Sequence, residues 1–394
     1  MKKHFKKVMS VVLSAAMLMS TAVSAFGATT DPNPGALELK NAAFAKQAAL
    51  EGMVLLDNNG ALPMPASGTV ALFGVGAYAT VKGGTGSGDV NNRYSVSVRE
   101  GFENYGYDVT TSDEYYDAMV YAYDNLPSGG GMWSSKDYAA AEVALTAETV
   151  KPKKATDTAI YTIARNSGEG NDRKATKGDF YLNDVEYANI KLIGETYKNV
   201  IVNINSGGII STAFFDEINE ATADPYGGAA IDSLFLMSQA GQEGGNALVE
   251  VLNGTVSPSG KLTDSWADIY DYYPASETFG ANDGNSLQED YVEGLYVGYR
   301  YFDSFYKTIN PADPDGVVNY PFGFGLSYTD FDIDVESVTA DMDTVTVVAK
   351  VTNVGKVYPG KEVVEASLPA PQHGLDNTYQ ALAPFGNTET RAPG

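Results

Sequence analysis

The 394-residue chain contains no cysteine, which excludes disulfide frameworks and thiolate metal sites and leaves burial of apolar surface to stabilise the fold. Histidine is nearly as scarce. His4 lies in the N-terminal segment and His373 in the Pro- and Gly-flanked stretch of residues 369–374, so a Ser-His-Asp triad would rest on His373 alone, which reads as an exposed loop residue. His-rich zinc sites are excluded on the same ground. Cations are in deficit: 26 Lys and Arg face 50 Asp and Glu, a formal net charge of −24. Such a chain repels nucleic acid and anionic membrane surfaces, and a neutral ligand suits it better. Beyond the first residues no run is long and apolar enough to span a bilayer.

What is present is 44% apolar content punctuated by 41 glycines, enough for packed cores in two domains. Lys2, Lys3, Lys6 and Lys7 precede the apolar stretch 8–23, and Val23-Ser24-Ala25 has the small-x-small form of a cleavage site. Residues 1–25 therefore read as a secretory signal, which predicts a secreted, extracellular or cell-surface protein. The alternative, a retained anchor, has an apolar run short of the ~20 residues a span needs. Removing the four lysines makes the mature chain more acidic still.

After a Pro/Asn linker within residues 26–40, apolar positions at helical spacing predict a helix over residues 36–52. Short apolar runs bounded by Gly and Pro at 54–56, 70–73, 107–110, 159–164 and 200–204 read as strands, alternating with helices expected near 96–105, 135–148 and 184–197. Residues 227–238 read as strand and turn, and 242–252 as a helix ended by Asn253-Gly254. Strands alternating with helices imply an open, mostly parallel sheet covered on both faces, with ligands gathering at the carboxyl ends of its strands. The informative residues should thus follow Phe73, Ala164 and Ile204. Residues 275–290 turn polar and Gly/Asn-rich; 291–305 are crowded with aromatics and are expected to lie against a neighbouring domain. From Phe331 the pattern becomes strict alternation, as in Val345, Val347, Ala349 and Val351, which begins a small β-sandwich.

Directly after the strand at 159–164 comes Arg165-Asn166-Ser167-Gly168-Glu169-Gly170-Asn171-Asp172-Arg173. Glycines on both sides of Glu169 permit a sharp turn and leave its carboxyl group uncrowded. Asp172 and Arg173 can pair with each other or anchor the loop. Taken alone, a loop glutamate is as readily structural or solvated. Residues 83–89 form a second Gly-rich stretch, Gly83-Gly84-Thr85-Gly86-Ser87-Gly88-Asp89, without the Gly-Lys-Ser/Thr ending of a phosphate-binding P-loop. It reads either as a tight turn or as a loop whose backbone approaches a neutral ligand, with Ser87 and Asp89 hydrogen-bonding its hydroxyl groups.

Six stretches in order resemble one family: residues 52–58; the loop 83–89; 167–173 with Lys177-Gly178-Asp179-Phe180-Tyr181-Leu182; 241–247 followed by Pro258-Ser259-Gly260-Lys261-Leu262; 293–302; and 320–328. They look like the α/β-sandwich domain of family 3 glycoside hydrolases of the β-glucosidase type. The resemblance implies a mostly parallel six-stranded α/β sandwich over residues 41–274, a linker and aromatic-rich extended segment over 275–328, and an incomplete fibronectin type III-like domain over 329–394. It implies retaining hydrolysis of terminal β-linked glucosides or xylosides, an oligosaccharide or glycoside as partner, and no metal or cofactor. Glu169 would be the general acid/base, with Asp172 and Arg173 as loop support. The nucleophile would be an Asp from a (β/α)8 barrel absent from this chain, the two carboxyl groups ~5 Å apart in the assembled site. Closure of that barrel over the loop would raise the acid's pKa by desolvation. Two features depart from the pattern. The signal leads straight into the sandwich, as in a domain-swapped subgroup, and residues 363–369 replace an expected alternation of aromatic and β-branched residues. Two rivals remain: a non-catalytic carbohydrate-binding or scaffolding protein, and a nucleotide-binding α/β domain.

Overall fold

The computed structural model describes residues 33–86, 88–127, 136–169, 172–222, 225–285, 287–369, 371 and 376–394. The expected signal at residues 1–25, Ser87, Gly170, Asn171 and His373 lie outside the described residues. The chain divides into two compact units, residues 1–44 and 45–394. The described part of the first is helical from Ala36.

Strands β1 (Val54–Asn58), β2 (Thr69–Phe73), β3 (Asp108–Val109), β4 (Thr158–Arg165), β5 (Asn199–Ser206) and β6 (Ser233–Leu236) form one sheet in the order β1-β6-β5-β4-β2-β3. All neighbours are parallel except β1, which runs antiparallel to β6 at one edge. β4 and β5 pair over their full length, from Thr158 opposite Asn199 to Arg165 opposite Ser206. Every residue of β4 is buried, which is why it reads as a mainly apolar run rather than an alternation.

The helices are α1 (Ala36–Gly52), α2 (Val75–Tyr78), α3 (Val98–Asn104), α4 (Asp113–Asp124), α5 (Asp184–Gly194), α6 (Ala213–Ala221), α7 (Gly244–Leu252) and α8 (Tyr299–Ile309). Successive strand residues point to opposite faces. Leu72, Ile160 and Ile201 share a core with Phe102 of α3 and Leu248 of α7, whereas Phe73, Tyr161 and Val202 pack with Ile190 of α5 and Phe214 of α6. The result is a three-layer sandwich with the sheet in the middle.

Helix placement corrects the expectation from sequence in several places, among them α8, which forms over Tyr299–Ile309 inside the segment 275–328 expected to be extended. The helix expected over 135–148 does not form; residues 139–141 make one 3₁₀ turn and the segment beyond is irregular. Its backbone is claimed by other elements: Asn189 of α5 accepts from the Leu145 amide (2.7 Å) and donates to the Val143 carbonyl (2.9 Å). The helix in this region is α4 instead, with Asp113 and Glu114 in its first turn, where they complement the helix dipole, and Tyr115 and Met119 buried one turn apart. α6, unforeseen, buries Phe214, Phe215 and Ile218.

Beyond α7 the chain returns to the sheet: the Trp266 amide donates to the Tyr320 carbonyl (2.8 Å) and the Leu326 amide to Leu55 of β1 (2.8 Å). In the aromatic segment Phe302 is buried with Ala267 and Val317, and Tyr299 stacks on Phe322 at 4.6 Å, while Tyr291 is exposed. Two antiparallel pairs follow, β7 (Phe331–Ala340) with β8 (Val345–Asn353), and β9 (Val363–Pro369) with β10 (Gln380–Asn387). Residues 363–369 are thus a paired strand despite their unpromising composition; the β9–β10 register breaks between Leu382 and Phe385.

The irregular segment that precedes β4 turns a carboxyl group into the interior. Glu142 accepts a hydrogen bond from the Val75 amide at 2.9 Å, and its other oxygen has no hydrogen-bond partner among the described residues. Burial, and then the negative charge of Glu186, push its pKa from 4.5 up to about 8. The native chain therefore holds a proton there that the unfolded chain has lost between about pH 4.5 and about 8, so this group's contribution to stability falls as pH rises through that window. Glu142→Gln keeps an acceptor for Val75 and removes the titration. Urea denaturation over a pH series should show the variant gaining on the parent as pH rises from 4.5 to 8; a difference independent of pH would contradict this.

Candidate active site

In the sheet order, β3 lies on one side of β2 while β4, β5 and β6 step away on the other. The order therefore reverses between β2 and β4, and connections leaving these two strands diverge and open a crevice at their carboxyl ends. The β2 connection runs through Gly74 and α2 into residues 83–89; the β4 connection begins at Asn166 and carries Glu169.

The two connections meet. Thr85 and Gly168 form a parallel bridge. The Thr85 amide donates to the Ser167 carbonyl (3.1 Å), and the Glu169 amide donates to the Thr85 carbonyl (3.2 Å). Asn166 Nδ2 adds a bond to Thr85 Oγ1 at 2.6 Å. Glycine is required on both sides. A Cβ on Gly84 would lie 2.2 Å from the Ser167 carbonyl oxygen, and one on Gly168, whose φ is 151°, would lie 2.2 Å from the Thr85 nitrogen. The connections after β5 and β6 reach the same edge: Asn205 accepts from the Val81 amide (2.6 Å) and donates to the Val81 and Ser238 carbonyls (3.0 and 2.6 Å).

Glu169 sits exposed on its turn, its amide tied to Thr85. Asp89 is exposed and pairs with Lys82 at 3.4 Å; Lys82 also donates to the Val90 carbonyl at 2.6 Å, which folds the end of this loop on itself. Arg173 pairs with Asp179 (2.8 Å) rather than with the exposed Asp172. Its Nη2 donates back to the Asn166 carbonyl and to Ser167 Oγ (3.3 Å), so one guanidinium clasps both ends of the loop that carries Glu169. The Arg173 pKa is lowered by burial, with Asp179 and Asp172 opposing and Arg165 adding to the shift. A cavity of about 320 Å³ opens on this side, lined by Arg165, Asn166, Lys174 and Asp179 among others.

Arg165, Asp179 and Thr85 lie within the quoted motifs without a role assigned there, and Glu186 and Asn205 lie outside them; all five build the site. One signal was available: Asn183-x-x-Glu186 is a capping box, with the Asn183 side chain accepting from the Glu186 amide and the Glu186 carboxylate accepting from the Asn183 amide, both at 2.8 Å. Because Gly84 lies in backbone contact with Ser167, Gly84→Ala must force the two loops apart. Overpacking of this kind costs about 1–3 kcal/mol, and chemical denaturation should read that loss; unaltered stability would mean that the bridge is not held in solution.

Residues 53–328 match the glycosyl hydrolase family 3 C-terminal domain. Beta-glucosidase A of Butyrivibrio fibrisolvens is 36% identical over 90% of this chain and 45% of its own length. For a beta-glucosidase of Ruminococcus albus the figures are 35%, 89% and 34%. Among solved structures, beta-glucosidase 3B from Thermotoga neapolitana in complex with glycerol superposes with a TM-score of 0.76 at 34% identity, covering 91% of this chain and 47% of that one. The chain spans less than half the length of these relatives. With its six-stranded, mostly parallel sandwich and a family match over residues 53–328, the chain belongs to glycosyl hydrolase family 3.

Proposed function

We propose that this chain supplies the acid/base half of a retaining β-glycosidase acting on terminal β-linked glucosides or xylosides, with Glu169 as general acid and then general base. The observation that carries this reading is the joining of the Glu169 turn to the 83–89 loop at the point where the sheet order reverses. The named relatives are beta-glucosidases, which supports the reaction class. Asp89 and Ser87 lie in a loop so joined, which supports their role as partners for sugar hydroxyls; Asp172 and Arg173 act as loop support. The chemistry needs a second carboxylate ~5 Å from the first, on the opposite face of the sugar. In this reading it comes from a (β/α)8 barrel outside this chain. Residues 1–25 serve as a secretory signal and 26–40 as linker, 41–274 form the catalytic sandwich, 275–328 the connecting segment, and 329–394 the beginning of a fibronectin type III-like domain, so that the enzyme works outside the cell or at its surface. The antiparallel pairs β7–β8 and β9–β10 are in keeping with that last assignment.

In the complete enzyme, Glu169→Ala should lower turnover of glycosides with poor leaving groups by on the order of 10²-fold or more, since positioned general-acid help is worth that much. Activated aryl glycosides, which leave without a proton, should lose less in the glycosylation step. Azide should then yield a β-glycosyl azide, because a small anion needs no base. Parental activity of the variant on cellobiose would remove the acid role from Glu169. Binding of glycans without hydrolysis by the complete protein would favour a carbohydrate-binding scaffold instead.

A further inference from the structure

The last residue of β4 is an arginine that is only 3% exposed, and its partner, Glu186 at the start of α5, is fully buried. The two meet fork to fork, Nη1 to Oε1 at 2.6 Å and Nη2 to Oε2 at 2.8 Å. Nη1 also donates to the Ala164 carbonyl (3.0 Å), and Nε donates to the Asp179 carbonyl (2.9 Å). The Asp179 carboxylate forms an ion pair with Arg173 at 2.8 Å and accepts a hydrogen bond from the Lys174 amide at 3.0 Å. Arg173 closes the loop on Asn166 and Ser167. An unbroken chain of charge-assisted contacts therefore runs from Glu186 through Arg165, Asp179 and Arg173 to the two residues that begin the Glu169 turn.

Burying such a pair contributes little to stability compared with apolar side chains of similar volume, because both ions must leave water. Its other attribute is geometric. A planar guanidinium with three acceptors at fixed angles sets the direction of its fourth bond, whereas an ammonium on a flexible stem does not. Here that fourth bond is the one to the Asp179 carbonyl, which orients the Arg173 clasp.

We infer that Arg165, held by Glu186, is a positioning residue for the Glu169 turn: through Asp179 and Arg173 it fixes where that turn lies against Thr85. The catalytic meaning of this rests on the proposed acid/base role of Glu169; the geometric claim does not. Amide hydrogen exchange on the intact chain tests it. Arg165→Lys keeps the charge and loses the fork. The double variant Arg165→Met with Glu186→Leu removes both charges together and approximately keeps the volume, so that no buried charge is left unpaired. The amides of Glu169 and Thr85 should exchange on the order of ten-fold faster or more in either variant, while amides of the β4–β5 ladder stay within about threefold of the parent. Unchanged exchange at Glu169 and Thr85 in a folded variant would overturn the inference. So would equal acceleration of loop and ladder amides in both variants, which would make the pair a general support of the fold.

A second measurement separates this inference from the reading of Glu169. In the complete enzyme, Arg165→Lys should lower kcat more for poor than for activated leaving groups, with KM preserved. Loosened loop amides with an unchanged leaving-group dependence would uphold the positioning role and take the acid role away from Glu169.

Discussion

A guanidinium taken out of water needs its N–H groups met, and in Arg165 that requirement joins three separate elements. The carboxylate comes from the first turn of α5, one carbonyl from β4 itself, and another from the loop that leads into α5. Loss of the carboxylate would leave a buried charge unpaired, and loss of either carbonyl a buried N–H unmet, each of which carries a penalty. The same carboxylate caps α5 through the Asn183 amide, so the start of that helix and the end of β4 are fixed by one group. The connection carrying Glu169 thus leaves the sheet from a point determined by electrostatics as well as by packing.

The opposite wall of the crevice depends on steric constraint. Gly84 and Gly168 let two backbones approach closely enough to exchange hydrogen bonds, and those bonds tie the β2 connection to the β4 connection across the gap where the sheet order reverses. A loop that is otherwise exposed thereby becomes an extension of the sheet edge. This is the rigidity that a proton-transferring side chain needs, since a misplacement of about 1 Å can cost 10²-fold in rate.

Much of this was legible in the sequence. The apolar runs of β2, β4 and β5 announced a parallel sheet because strands covered on both faces have no polar side to display. The Gly-flanked Glu169 and the Gly-rich 83–89 stretch stood out because glycine clusters mark places of close approach. What remained hidden is of another kind. α4 is rich in tyrosine and aspartate and its buried face is narrow, so its periodicity is faint beside that of the alanine-rich segment after it. That segment looked helical and is not, because Asn189, 44 residues beyond Leu145 in sequence, takes its backbone groups. Arg165 and Glu186 are 21 residues apart and of types that usually face water. Only the fold brings them together: the capping-box spacing marks Glu186 as the start of a helix, but not as the partner of Arg165.

Burial divides the carboxyl groups of this site into two kinds. Glu142 and Glu186 are both enclosed; Glu186 is met fork to fork by a guanidinium, whereas desolvation pushes the Glu142 pKa up so that it keeps its proton. Glu169 belongs to neither kind, lying on an exposed turn whose backbone is fixed. A general acid that works near neutral pH needs the environment Glu142 has, without its immobility in the core. In the proposed reading these demands are met by different parts of the enzyme: the sandwich fixes where the carboxyl group is, and the domain that closes over the crevice, bringing the nucleophile, withdraws the water that would otherwise take its proton. Position and proton affinity are then set independently, by two different parts of the enzyme.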